Sequence, residues 1–101
     1  MTTPTPFATI NVHGTSLAVY ASRYRFSNRM ALQLVDVVGQ EDYATFTVNM
    51  PEEPLAEGEL LVKTWSENAP LRQPMLDTGL FEDTGRRVST GFCLAEVWKL
   101  R

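Results

Sequence analysis

Two runs of strand type face each other across one short polar turn in the second quarter of the chain. Met30-Ala-Leu-Gln-Leu-Val-Asp-Val-Val38 leads in, Gly39-Gln-Glu-Asp42 turns, and Tyr43-Ala-Thr-Phe-Thr-Val-Asn-Met50 leads out. That arrangement predicts a β-hairpin. In the second run Ala44, Phe46, Val48 and Met50 fall on one face, and Thr45, Thr47 and Asn49 on the other. Period-two spacing suits a sheet with one buried side and one wet side. The rest of the chain has to pair with this hairpin or cover it.

Phe7–Val12 reads as a first strand, His13-Gly14-Thr15 as a turn, and Leu17–Phe26 as a longer second strand. Ser27-Asn28-Arg29 turns into the central hairpin. Pro51 ends the fourth strand because it has no N–H to give a ladder. Leu60–Trp65 reads as a fifth strand. Ser66 or Asn68 can cap a helix over roughly Asn68–Asp77, with Gly79 as its stop. Pro74 should shorten or kink that helix. Glu82–Gly85 reads as a turn and Phe92–Leu100 as the last strand. The expected fold is α+β: a twisted antiparallel sheet of five to six strands with one short helix, barrel-like curling left open.

The length of 101 residues fits one domain, with residues 1–6 as a loose tail. The single cysteine, Cys93, excludes an internal disulfide and fits a reducing compartment. The start has no signal-peptide pattern, and no apolar run nears the roughly 20 residues of a membrane helix. A soluble, cytoplasmic protein with no membrane partner is the expectation.

Candidate chemistry is sparse. His13, the one histidine, sits in the expected His13-Gly14-Thr15 turn without placeable partners. One His and one Cys cannot fill a structural zinc site. Cys93, between Phe92 and Leu94, reads as a buried thiol. The glycines are single turn residues rather than a phosphate-cradling loop. Trp65 and Trp98 read as core anchors. No catalytic residue, metal or cofactor is expected.

Charge is uneven. Residues 41–83 carry ten carboxylates against Lys63 and Arg72 alone, while the net charge of the chain is only −3. An acidic surface disfavours nucleic acid and suits a basic protein partner. The candidate partner-binding residues are Glu41, Asp42, Glu52, Glu53, Glu57 and Glu59. Arg23, Arg25 and Arg29 form the one basic–aromatic cluster and are the alternative, nucleic-acid-binding set. On a strand, Arg23 and Arg25 would face solvent while Tyr24 and Phe26 pack inward, which separates rings from charges. A stacking platform needs both on one surface, so direct nucleic-acid binding is not the leading expectation.

Leu32–Asp36, Tyr43–Pro51 and Leu60–Asn68, with Gly79-Leu-Phe81, Thr84-Gly-Arg86 and Gly91-Phe92, carry a resemblance. The sharpest parts are Thr47-Val-Asn49 and Lys63-Thr-Trp-Ser-Glu-Asn68. Together they resemble a family of small domains of unknown function found on plasmids, conjugative elements and prophages. Pro70 and Pro74 depart from the regular helix that the family would have there. The resemblance implies a setting and no catalytic residue. Small acidic proteins of mobile elements often antagonise host defence. The implied function is a non-enzymatic inhibitor of a host defence complex, such as an anti-CRISPR protein, with a basic protein or ribonucleoprotein as partner. A nucleic-acid-binding accessory protein of a plasmid or phage is the alternative.

Overall fold

The structure is a computed structural model and describes residues 6–25 and 27–101. The expected tail therefore lies, but for Pro6, outside the described residues, as does Phe26. Among the described residues seven strands form two antiparallel sheets. β1 (Ala8–Val12), β2 (Thr15–Arg23), β3 (Met30–Asp36) and β4 (Asp42–Thr45) follow one another in the first sheet. In the second, β7 (Leu94–Leu100) lies between β5 (Glu59–Val62) and β6 (Phe81–Ser89). A 3-10 turn over Ser66–Leu71 runs directly into α1 (Arg72–Asp77).

The small α+β class agrees with the sequence reading. The single sheet of five to six strands does not, because there are two sheets and they do not close into a barrel. The cause lies at Phe46–Val48. Phe46 N–H donates to Leu32 O of β3, while Phe46 O accepts from Lys63 N–H beyond β5. Val48 N–H then donates to Leu61 O, and Thr47 faces Val62 in an isolated bridge. The chain thus leaves one sheet and joins the other within three residues. Leu32 N–H donates instead to Thr47 Oγ1, 3.2 Å away, and Tyr24 Oη lies 2.8 Å from that same oxygen. A hydroxyl stands in where a backbone carbonyl would continue the ladder. Thr47 is consequently buried rather than on a wet face, and the expected strand to Met50 stops at Thr45.

The main core lies between the sheets. Trp98 sits 5.3 Å from Phe46 and 6.0 Å from Phe81, centroid to centroid, with Leu17, Leu32, Leu34, Leu60, Leu71 and Met75 around them. α1 packs against β1 and β6, one edge strand of each sheet, on the side away from the Thr47–Val62 bridge. A smaller cluster of Leu61, Val88, Ala95 and Val97 lies on the other face of the second sheet, under Val48, Met50, Leu55 and Trp65. β7 is therefore apolar on both faces, which explains its near-continuous hydrophobic run.

Three local expectations change. Glu82–Gly85 is part of the long strand β6, because Gly85 at φ +85° absorbs a bulge between Asp83 and Arg87 rather than reversing the chain. Ser66 does not cap the helix: it adopts φ +58° and turns the chain out of β5. Asn68 is buried and donates through Nδ2 to Thr45 O and Lys63 O, tying β4 to the end of β5 where the two part. Pro74 lies within α1, which is short, as expected, at six residues and continues the 3-10 turn without a break. Gly79 does end the helix, at φ +76°.

Candidate functional site

Strand register gives the molecule two ends. In the seam row Thr47 faces Val62 and Val62 faces Glu96. From that row, the direction toward Asp42 on β4 is also the direction toward Leu94 on β7. The β3–β4 and β6–β7 turns therefore leave at one end. The β2–β3 turn and the loop before β5 lie at the other. β3 spans roughly 20 Å between them at about 3.3 Å per residue.

The candidate carboxylates divide between these ends. Glu41 closes the β3–β4 turn and Asp42 opens β4; both are exposed. Asp36 organises that turn: its Oδ1 accepts from Val38 N–H at 2.9 Å and Gly39 N–H at 3.2 Å. Val38 is thereby held out with 89% of its surface in solvent, beside exposed Val37 and Tyr43. Among the described residues, neither Glu41 nor Asp42 has an ion-pair partner.

Glu53, Glu57 and Glu59 lie at the opposite end. Arg86 reaches Glu53 Oε1 at 2.7 Å and Glu59 Oε1 at 4.0 Å, so two of these three charges are met within the chain. Glu52 is exposed in the Pro51–Glu53 turn. A cleft of about 650 Å³ brings the two candidate sets together, since Glu57 and Glu59 line it with Arg23 and Arg29. Arg29 donates to the carbonyls of Met50 and Glu53, and Arg23 to Asn28 O. Arg25 is exposed in the turn after β2, so the expected strand alternation of arginines and rings ends at Arg23. Tyr24 does point inward, toward Thr47.

Sequence reasoning missed the densest group of charges. Glu96 on β7 is buried and accepts from Arg72 Nε at 3.1 and 3.0 Å, from Thr64 Oγ1 at 2.6 Å and from Trp98 Nε1 at 3.1 Å. Asp83 accepts from Arg72 at 2.8 Å and from Arg87 at 2.9 and 3.0 Å. Burial works against the charge on Glu96, but the hydrogen bonds from Arg72, Thr64 and Trp98 outweigh it and hold the carboxyl below its usual range. The Arg87 hydrogen bond, opposed by burial, brings Asp83 down to about 2. Two cations and two carboxylates compensate one another, and the set fastens α1 to β6 and β7. The only sequence signal was the Asp83/Arg87 spacing, and the expected turn obscured it.

His13 is exposed in the two-residue β1–β2 turn, with φ +52°. Cys93 is half-buried in the β6–β7 turn rather than buried in a strand. Trp98 is fully buried and Trp65 half-buried. Among the described residues no group of His, Cys, Asp and Glu is placed to hold a metal ion, and no helix is long and apolar enough to cross a membrane. Comparisons with protein-family models, curated proteins and solved structures returned no match.

Proposed function

We propose that the protein is a non-enzymatic binding protein that docks onto a basic surface of a host defence complex and inhibits it. The contact is the tip of the β3–β4 hairpin. One observation carries this: Val38, Val37 and Tyr43 stand exposed next to Glu41 and Asp42, whose charges have no partner among the described residues. Apolar area gives affinity, and like-signed charge selects and steers a partner of opposite sign. Of the six candidate carboxylates, Glu41 and Asp42 fit the role best, because Glu53 and Glu59 already face Arg86. The choice of a defence complex, an anti-CRISPR-like role, comes from the family resemblance and its setting on mobile elements. The alternative, nucleic-acid binding through Arg23, Arg25 and Arg29, has less support, because Arg29 is engaged by two carbonyls and Glu57 and Glu59 share the cleft.

The test is phage plating on bacteria with active CRISPR or restriction systems, with and without the protein. Plating of a targeted phage should recover in at least one system. The E41K/D42K double variant should lose that effect at an unchanged thermal midpoint. Failure to restore plating in any system of the panel overturns the reading. A gel shift that weakens with salt would instead favour the arginine cluster.

A further inference from the structure

The exposed large apolar side chains among the described residues are Val37, Val38, Tyr43, Phe92 and Leu94. They come from hairpins of different sheets, yet the seam row Thr47–Val62–Glu96 places both hairpin tips at the same end of the molecule. The opposite end, with the charged cleft, has none of them. Phe92 is the extreme case, with its whole side chain in solvent. Its turn is nonetheless fixed: Thr90 donates to Cys93 O through both its N–H, at 2.9 Å, and its Oγ1, at 3.0 Å. Gly91 at φ +106° supplies a conformation other residues rarely adopt. The ring packs on nothing in the chain, so the fold does not require it. A rigid turn holding out an aromatic ring loses little entropy when that ring is buried by a partner.

The charges in and beside the β3–β4 tip have one sign. Between Met30 and Val62 the sequence contains no Lys or Arg, while Asp36, Glu41 and Asp42 lie in or beside the tip. Lys63, further round, is bonded to Glu67 at 2.7 Å and lies over Trp65.

We infer that this end is a two-point docking surface in which Phe92, flanked by Leu94, enters an apolar pocket of a partner protein, while Glu41 and Asp42 meet basic residues around that pocket. This rests on the binding reading above and adds the second hairpin and the chemistry of the partner. A phosphate backbone is disfavoured as occupant, since the carboxylates repel it.

The test places the photo-crosslinker benzoylphenylalanine at position 92, at 43 or at 25 of the full chain, in the bacteria whose defence is scored. Positions 92 and 43 should give adducts with one and the same protein, through a segment where apolar residues are flanked by Lys or Arg, and position 25 should give none. Against that protein in purified form, Phe92→Ala should weaken binding at least about tenfold, with the thermal midpoint unchanged because the ring packs on nothing. Adducts from 43 without 92, or undiminished binding by Phe92→Ala, overturn the inference and leave hairpin-tip docking standing. Adducts from 92 without 43 overturn the two-point arrangement. Adducts from neither, or only with RNA or a second copy of this chain, overturn both readings.

Discussion

Arg72 Nε lies 3.1 and 3.0 Å from the two carboxylate oxygens of Glu96, and through this contact the short helix is fastened to the central strand of the second sheet. Glu96 has only 9% of its side chain in solvent, so its charge depends on what surrounds it. Glu96→Ala should destabilise the protein by about 3 kcal/mol, because Arg72 keeps only Asp83 and the indole N–H of Trp98 loses its acceptor. Urea titration followed by tryptophan fluorescence measures this. A loss under about 1 kcal/mol would show that water replaces the carboxylate without penalty.

Acid should unfold the protein through the same charges. Asp83 has a folded-state pKa of about 2 against an ordinary 3.8, and that of Glu96 is also lowered. Groups depressed on folding stabilise the native state above their unfolded pKa, and that contribution disappears as pH falls through the folded value. Stability should therefore hold above about pH 5 and decline steadily toward pH 2. Glu67 is lowered to about 2 as well, first by its hydrogen bond from Lys63. It is exposed, so screening leaves it little weight. Asp83→Asn should flatten the acid limb of a stability–pH curve, and Glu67→Gln should not.

The seam tests the role of one hydroxyl. Thr47→Val keeps the shape but leaves the N–H of Leu32 buried without a partner, at a cost of about 1–3 kcal/mol. Thr47→Ser should recover most of it. Hydrogen exchange at the Leu32 amide should speed up in the valine variant and stay slow in the serine variant.

Gly79 separates backbone strain from crowding. A Cβ added there meets nothing within 4 Å, but φ is +76°. Gly79→Ala should cost about 1 kcal/mol through the left-handed conformation alone. Thermal denaturation reads it directly.

The elements set by local periodicity were legible in the sequence. The β3–β4 hairpin, the helix stop at Gly79 and the core role of Trp98 follow from alternation, glycine and bulk. What was missed depends on partners distant in sequence. Nothing local distinguishes the bulge at Gly85 from a turn, since both need positive φ; the neighbouring strand β7 decides. Thr47 reads as wet until Leu32 and Tyr24 are placed beside it. The acidic middle reads as one patch, because sequence does not reveal that β3 puts Glu41 and Glu53 at opposite ends or that Arg86 returns to meet Glu53. Arg72, Asp83, Arg87 and Glu96 carry no shared pattern along the chain, and only the fold assembles them.

Trp98 fills the centre between Phe46 and Phe81 from the last strand, so the interior has no plug until residue 98 has been synthesised. A nascent chain that already holds the first four strands presents Phe46 and the inner leucines to water, and long-range pairing of β5 with β7 has to wait. Assembly of the first sheet can precede that moment; consolidation of the whole cannot. The order of synthesis thus leaves an interval in which Phe46 and Phe81 lack the ring that lies between them.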